Sequence, residues 1–306
     1  MNTYQAGQVA ALPSEDGPLF IGLAQRSPIA YENPLPQFRR DVAATLAARP
    51  EIGLLVYPEM HLHGTEHLPE ADRPAALKSA AAALDSTFVQ ALGEIAAEFQ
   101  IWLSPGSIGE RGPNGEFYNT QLLFDPAGQL RAHYRKIFPW RPFEPHLPGT
   151  EFSVTEMDSL GAAGLSICYD AWFPEHSRQL AWLGADLVLN IVKTTSDDRE
   201  QELALARANA IVNQNYMISV NCAGPVGRGR SIAVGPEGWV LAEAGLGEET
   251  LVVPFSRAEV TRVRTEGTAG SNRLWHQFGP TDAPVPLPMY EGRIDPRTWT
   301  PRTTAD

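Results

Sequence analysis

Short apolar runs recur along the chain, each bounded by Gly, Pro or charged residues. Leu19 to Gln25 (LFIGLAQ), Gly53 to Tyr57 (GLLVY), Leu187 to Val192 (LVLNIV) and Tyr216 to Cys222 (YMISVNC) are nearly free of polar positions. Runs of this length predict buried strands. Between them the spacing changes to that of helices. Gln37 to Arg49 places Val42 and Leu46 on one side, and the alanine-rich stretch Ala71 to Phe99 predicts one long helix with Phe88, Leu92 and Ile95 inward. Pro174 to Leu183, Asp197 to Gln214 and Arg257 to Arg264 predict three more. Pro174 stands early in its helix, and acidic residues open the helix at Asp197, where they suit the helix dipole.

Antiparallel pieces are mixed in. Ile101 to Ile108 and Phe117 to Phe124 flank the turn signal Pro113-Asn114-Gly115, and Gln129 to Lys136 follows the turn Asp125 to Gly128. Phe152 to Met157 pairs with Ala162 to Cys168, and short strands are expected at Ser231–Val234, Trp239–Ala242 and Thr250–Pro254. Strands alternating with helices, with hairpins among them, predict one α/β sandwich with two sheets inside and helices outside. Residues 1–18 read as a loose polar arm, 19–265 as a single domain and 266–306 as an extended tail rich in Pro, Thr and Arg. The apolar tail stretch LWHQFGPTDAPVPLPMY is expected to pack on a neighbouring subunit.

Composition narrows the function. The chain has 306 residues, 43% hydrophobic and 20% charged, the balance of a globular enzyme-sized domain. Its net charge of −12, without a basic stripe, argues against nucleic acid or an anionic membrane as partner. Two cysteines are too few for a disulfide framework and fit a reducing cytoplasm. The first residues lack the basic and apolar regions of a signal peptide, and no apolar run approaches the roughly 20 residues of a membrane helix. A cytoplasmic location is expected.

The chemistry gathers at strand ends. In AAGLSICYDAWFPE an apolar strand climbs to Cys168, turns sharply, and starts a helix at Pro174-Glu175. Such a turn lifts a side chain from a sheet edge and aims the following N–H groups at what it attacks. Cys168 is a candidate nucleophile, with a buried structural thiol as the alternative. Glu59 follows the strand ending YPE, and Lys136 follows YRK. A carboxylate can take the thiol proton, and the thiolate can attack a carbonyl or nitrile carbon. A lysine and the Tyr169 N–H can hold the oxyanion. Spacing alone leaves open that Glu59 and Lys136 are solvated surface groups.

LLVYPE, HYRKIFPW and GLSICYDAWFPE resemble, in order, the three signature segments of the nitrilase superfamily, the carbon–nitrogen hydrolases. GADLVLN, LARANAIVNQNYMISVNCAG and GRSIAVGPEGWVLAEAG extend the resemblance over roughly residues 19–265. The resemblance implies a four-layer αββα sandwich, Glu59 as general base, Lys136 as the lysine that stabilises the intermediate, and Cys168 as nucleophile. It implies no metal or organic cofactor, and homodimers or larger homo-oligomers that pair through the helices after the cysteine.

True nitrilases usually carry Trp-Glu after the cysteine; here Tyr169-Asp170 resembles the amidase-like branches. The loop YRKIFPWRPFEPHLPG is similar to that of aliphatic amidases and formamidases, where a glutamate eight residues past the lysine joins the site, and Glu144 holds that place. It departs from them at Arg141 and at Pro145-His146, where those amidases have Gly-Trp. The reading is a thiol amidohydrolase acting on a small amide through an acyl-enzyme. N-carbamoyl amino acids and then nitriles are the alternative substrates; an acyltransferase or a silent binding protein are readings of another class.

Further candidates line the expected pocket. Arg141 and Lys193 are candidates to meet a substrate carboxylate, with solvated surface charge as the alternative for each; Trp140, Trp172 and Phe173 shape the pocket or fill core, and Tyr118 begins a strand near the site. Asn119 reads as packing beside Tyr118. His61, His63 and His67 with Glu66 lie in a Gly-containing loop and read as pocket lining or surface rather than a metal site. Cys222 reads as inert core.

Overall fold

The computed structural model of the chain describes residues 18–283, 285–287 and 292. Residues 1–17 of the expected arm, and the tail beyond these limits, lie outside the described residues. The first sheet begins with β1 (Leu19–Gln25). Helix α1 (Leu35–Ala48) leads to β2 (Ile52–Val56), parallel to β1. Helices α2 (Arg73–Ser79) and α3 (Thr87–Phe99) lead to β3 (Trp102–Ser104), parallel to β2. Strands β4 (Ser107–Arg111), β5 (Phe117–Phe124) and β6 (Leu130–Arg135) are antiparallel, with β5 pairing to both others.

The second sheet starts at β7 (Val154–Glu156) and β8 (Ala162–Ile167). Helix α4 (Pro174–Trp182), β9 (Leu187–Val192), helix α5 (Arg199–Asn213) and β10 (Tyr216–Asn221) follow, making β8, β9 and β10 parallel neighbours. Strands β11 (Ile232–Val234) and β12 (Val240–Glu243) extend that sheet antiparallel. The chain then returns to the first sheet as β13 (Glu249–Phe255), antiparallel to β1, and continues into α6 (Arg257–Glu266).

Side-chain alternation makes the layers. Along β1, β2, β8, β9 and β10, residues two apart point into the gap between the sheets: Leu19, Ile21, Leu23, Leu54, Val56, Leu165, Ile167, Leu187, Leu189, Ile191, Ile218 and Val220 form one core. The alternate residues face helices. Leu55 and Ile52 pack with Phe38 and Val42 of α1 and Leu92 and Ile95 of α3. Val188 and Met217 pack with Leu180 of α4 and Leu203, Ala206 and Ala210 of α5. Each strand is therefore buried on both faces, which explains the unbroken apolar runs. The architecture is the expected α/β four-layer αββα sandwich.

Two expected elements are broken, both for local reasons. The helix read over 71–99 divides into α2 and α3. Ala82 leaves helical geometry to pair with β4, its N–H bonding the Gly109 carbonyl and its own carbonyl accepting from the Arg111 N–H, each at 2.9 Å. Ser86 then caps α3 by accepting from the Val89 N–H. Alanine's helix propensity loses to a sheet-edge partner. The strand read over 101–108 bends at Pro105-Gly106. Gly106 has φ +93°, and a Cβ there would stand 2.0 Å from the Pro58 carbonyl oxygen. Only glycine lets this bend pass so close to the segment carrying Glu59.

The described start of the tail packs on its own chain. Trp275 lies beside Trp182 of α4, with ring centroids 6.2 Å apart and the Arg178 guanidinium 5.1 Å above it. Among the described residues no helix is long and apolar enough to cross a membrane.

Candidate active site

Four strands end at one place. Glu59 stands three residues past β2, Lys136 directly follows β6, Cys168 directly follows β8, and Lys193 directly follows β9. Glu59 thus comes from the first sheet and Cys168 from the second, and the site straddles the gap between them.

Lys136 is fully buried and donates to Glu59 Oε1 at 3.0 Å and to Glu144 Oε1 at 2.6 Å. Burial works against its charge, but Glu59, the Cys168 sulfur and Glu144 outweigh that and hold the ammonium well above the usual lysine range. Its backbone is pinned on both sides: the Lys136 N–H donates to the Asn119 carbonyl, and the Gly149 N–H to the Lys136 carbonyl.

Glu59 is buried and accepts three hydrogen bonds. Asn119 Nδ2 donates at 2.8 Å and Lys136 Nζ at 3.0 Å to Oε1, while the Lys193 N–H donates at 3.0 Å to Oε2. Asn119 is thus a positioning residue for the carboxylate, not mere packing. Its neighbour Tyr118 points to the other face of β5 and stacks under the Arg135 guanidinium, 4.1 Å away.

Cys168 adopts φ +46°, the left-handed region that a side-chain-bearing residue seldom occupies. That turn ends β8 and starts a short 3-10 turn over Cys168–Trp172. The half-buried thiol is raised well above its usual pKa by burial and by Glu59, with Lys136 opposing. At neutral pH it is a protonated thiol, so attack requires a base.

Glu144 is drawn down to about 2: burial pushes it up, and Lys136 and His146 overcome that. One oxygen is bound to Lys136, and the other, Oε2, is buried with no hydrogen-bond partner. A buried carboxylate oxygen without a donor is costly, and a ligand N–H removes the cost.

Asp170, which sequence reasoning used only as a branch marker, ties the pieces together. It accepts from the Ile167 N–H ahead of the cysteine, from the Phe138 N–H in the lysine loop, and from the Tyr134 hydroxyl, at 2.9, 3.0 and 2.8 Å. Burial raises it to about 7, against the pull of Lys136. Phe138 and Phe173 stack beside it with centroids 3.7 Å apart. The residue type alone carried no signal for this role. Asn119 had a weak one: it opens a run of three polar residues, Asn119-Thr120-Gln121, ahead of the apolar end of β5. Gln121 bridges the sheets, donating to the Leu189 carbonyl and accepting from the Ser166 N–H.

The remaining candidates are placed as follows. Trp140 packs on Phe143, and its carbonyl accepts from the Glu144 N–H. Tyr169 packs on Trp172 and Phe173. The exposed Arg141 donates to the His146 carbonyl at 3.0 Å, and Lys193 Nζ to Glu66 at 2.5 Å, so both cations are already engaged. His61 stacks on Tyr57, His63 meets Phe88 edge-on, and His67 pairs with Glu32. Among the described residues no group of three or more His, Cys, Asp or Glu is arranged to hold a metal.

Comparison with known proteins identifies the family. The family described as carbon-nitrogen hydrolase matches residues 22–265. A formamidase of Pseudomonas syringae pv. tomato is 31% identical over 286 residues, covering 90% of this chain and 82% of the relative. Among solved structures, Saccharomyces cerevisiae Nit3, a member of branch 10 of the nitrilase superfamily, superposes with a TM-score of 0.72 at 25% identity, covering 83% of this chain and 96% of that one. A variant of the amidase from Nesterenkonia sp. AN1, carrying the acetamide moiety of fluoroacetamide covalently on its active-site cysteine, gives 0.66 at 27% identity, covering 82% and 95%. The chain therefore belongs to the carbon-nitrogen hydrolase family, as an amidase-type hydrolase of the nitrilase superfamily.

Proposed function

We propose that this chain hydrolyses a small carboxamide through a thioester on Cys168, releasing ammonia. The observation that carries the reading is the Lys136 ammonium held between Glu59 and Glu144, with the other Glu144 oxygen making no hydrogen bond and standing 3.8 Å from His146 Nδ1. That oxygen suits an amide NH₂, which presents the donor it lacks and sets the carbonyl over the sulfur. A nitrile has no such donor.

The steps follow from the groups present. Glu59 takes the Cys168 proton as the sulfur attacks the amide carbon. The carbonyl oxygen gains the negative charge, which Lys136 Nζ and the Tyr169 N–H stabilise. Glu59 returns the proton to nitrogen, the C–N bond breaks and ammonia leaves. Water, deprotonated by Glu59, adds to the thioester. The C–S bond breaks, the sulfur regains a proton, and the carboxylic acid departs. The covalent adduct on the cysteine of the Nesterenkonia amidase variant supports the same nucleophile here.

A reducing cytoplasm suits the two free thiols. A homo-oligomer suits the exposed Trp182, Leu183, Ile211 and Val212 in and beside the two helices that follow Cys168.

The test is ammonia release from small amides, N-carbamoyl amino acids and nitriles, with wild type beside Cys168→Ala and Glu144→Gln. Amides are expected to be preferred, Cys168→Ala to be inactive, and Glu144→Gln to lose amide turnover while its thiol still reacts with iodoacetamide. Normal amide turnover in either variant overturns the assignment.

A further inference from the structure

The Lys193–Glu66 ion pair takes no part in the steps above, yet it begins at the catalytic base. Lys193 directly follows β9, one strand from Cys168, which directly follows β8; Ile167 and Ile191 are register partners just before them. The Lys193 N–H holds Glu59 Oε2, so its backbone is fixed to the site. Its side chain runs outward, and Nζ meets Glu66 Oε1 at 2.5 Å. The other Glu66 oxygen accepts from the Thr65 N–H at 3.0 Å. The two side chains keep 19% and 29% exposure, whereas Lys136 has none. Solvent and small ions therefore reach the outer pair and not the inner lysine.

The charges set what the site accepts. Three carboxylates pair with two ammonium groups, Glu59 and Glu144 with Lys136 and Glu66 with Lys193. The set is negative by one, three minus two, and the thiol adds none at rest. Arg141 keeps its charge while donating to the His146 carbonyl, but it is exposed and stands outside this ion-paired set. Without Glu66, the same set would be neutral, two minus two, with the outer ammonium unpaired beside the base.

We propose that Glu66 is a specificity-determining residue: by neutralising Lys193 it makes the site take amides with uncharged acyl groups and reject those bearing a carboxylate. The proposal rests on the amide-hydrolase reading for its kinetic test but not for its reactivity test. An ammonium released within roughly 10 Å of a bound anion, at an effective dielectric near 20, favours that anion by on the order of tenfold. Glu66→Gln keeps an oxygen for the Thr65 N–H and removes only the charge, so the loop that carries it retains its hydrogen bond.

The experiment compares wild type, Glu66→Gln and the double variant Glu66→Gln/Lys193→Met. Cys168 is alkylated with iodoacetamide and with iodoacetate, which differ little in size but by one charge. In each case the sulfur displaces iodide and its proton is lost to base. The iodoacetate-to-iodoacetamide rate ratio, read by intact mass against a Cys168→Ala background, is expected to rise about tenfold in Glu66→Gln and return in the double variant. The kinetic counterpart is the kcat/KM ratio of succinamate to butyramide, expected to move the same way. An unchanged alkylation ratio in Glu66→Gln, or a gain that survives in the double variant, overturns the proposal. If the alkylation ratio moves as expected but neither amide is hydrolysed, the hydrolase reading fails and the charge filter stands.

Discussion

Replacing Asn119 by Ala removes one of three donors to the Glu59 carboxylate and touches no other catalytic group. Oε1 then keeps only Lys136, which it shares with Glu144, and the carboxylate gains freedom to turn about its remaining anchors at Lys136 and the Lys193 N–H. A hydrogen bond to an ionised group is worth about 1.5–3 kcal/mol. If that energy holds the base in its reactive orientation, kcat/KM for amide hydrolysis falls about 10- to 150-fold. Stability behaves differently. The Asn119 oxygen Oδ1 is buried without a partner, so the substitution also deletes an unsatisfied acceptor, worth about 1–3 kcal/mol. Gain and loss offset, and the net stability change is expected to stay within about 1 kcal/mol. Ammonia release gives the rate, and urea unfolding gives the stability. Tyr118→Phe is the control, since that ring faces away and keeps its stack on Arg135; it is expected to leave the rate near wild type. The reasoning is refuted if Asn119→Ala turns over at the wild-type rate, or if its loss is fully accounted for by a smaller folded fraction.

Two further outcomes follow from the fold. Burial holds His61, His63 and His176 down to about 3, 4 and 3, and raises Asp170 to about 7. Between pH 6 and 5 the unfolded chain protonates all three histidines and the folded chain none, which costs stability as pH falls; Asp170, protonated only when folded, opposes them. Three minus one leaves about two protons, so stability should drop about 3 kcal/mol per pH unit on acidification, and His176→Phe should halve that slope. Urea unfolding at pH 6.0, 5.5 and 5.0 reads it, and a flat or rising stability contradicts it. Gly106→Ala should push Pro58 and with it Glu59, lowering kcat/KM by more than about tenfold. Gly115→Ala also has positive φ (+86°) but meets nothing within 4 Å; it should cost only about 1 kcal/mol of stability and leave the rate alone, and equal rate losses would show backbone strain rather than contact to be responsible.

The sandwich was legible because its strands announce themselves. LFIGLAQ and LVLNIV became β1 and β9 with the expected ends, since a strand buried on both faces tolerates few polar residues. The breaks were not legible. Alanine at 80–83 favours a helix locally, and nothing nearby reveals that β4, almost 30 residues on, will bond Ala82. The bend at Gly106 likewise depends on Pro58, far away in sequence. Glu59, Lys136, Cys168 and Glu144 were singled out through their motifs, and the structure sets Lys136 in direct contact with Glu59 and with Glu144. The groups that hold them were harder to see. Asn119, Asp170 and Tyr134 act through hydrogen bonds across separate elements; Asn119 showed only as part of a polar run in β5, and for Asp170 and Tyr134 local sequence carries no record of the partners. Lys193 and Arg141 were read as carboxylate binders or solvated surface charges, because neither the Glu66 carboxylate nor the His146 carbonyl is predictable as a partner from spacing.

The central claim is that Cys168 carries the acyl group. Its most direct measurement is intact-mass analysis of the enzyme quenched in acid during turnover of a small amide. The account predicts a mass increase equal to the acyl group less one hydrogen, located on the Cys168 peptide, removed by hydroxylamine, and absent in Cys168→Ala. Steady amide hydrolysis with no such adduct on Cys168, or with the adduct on another residue, contradicts it.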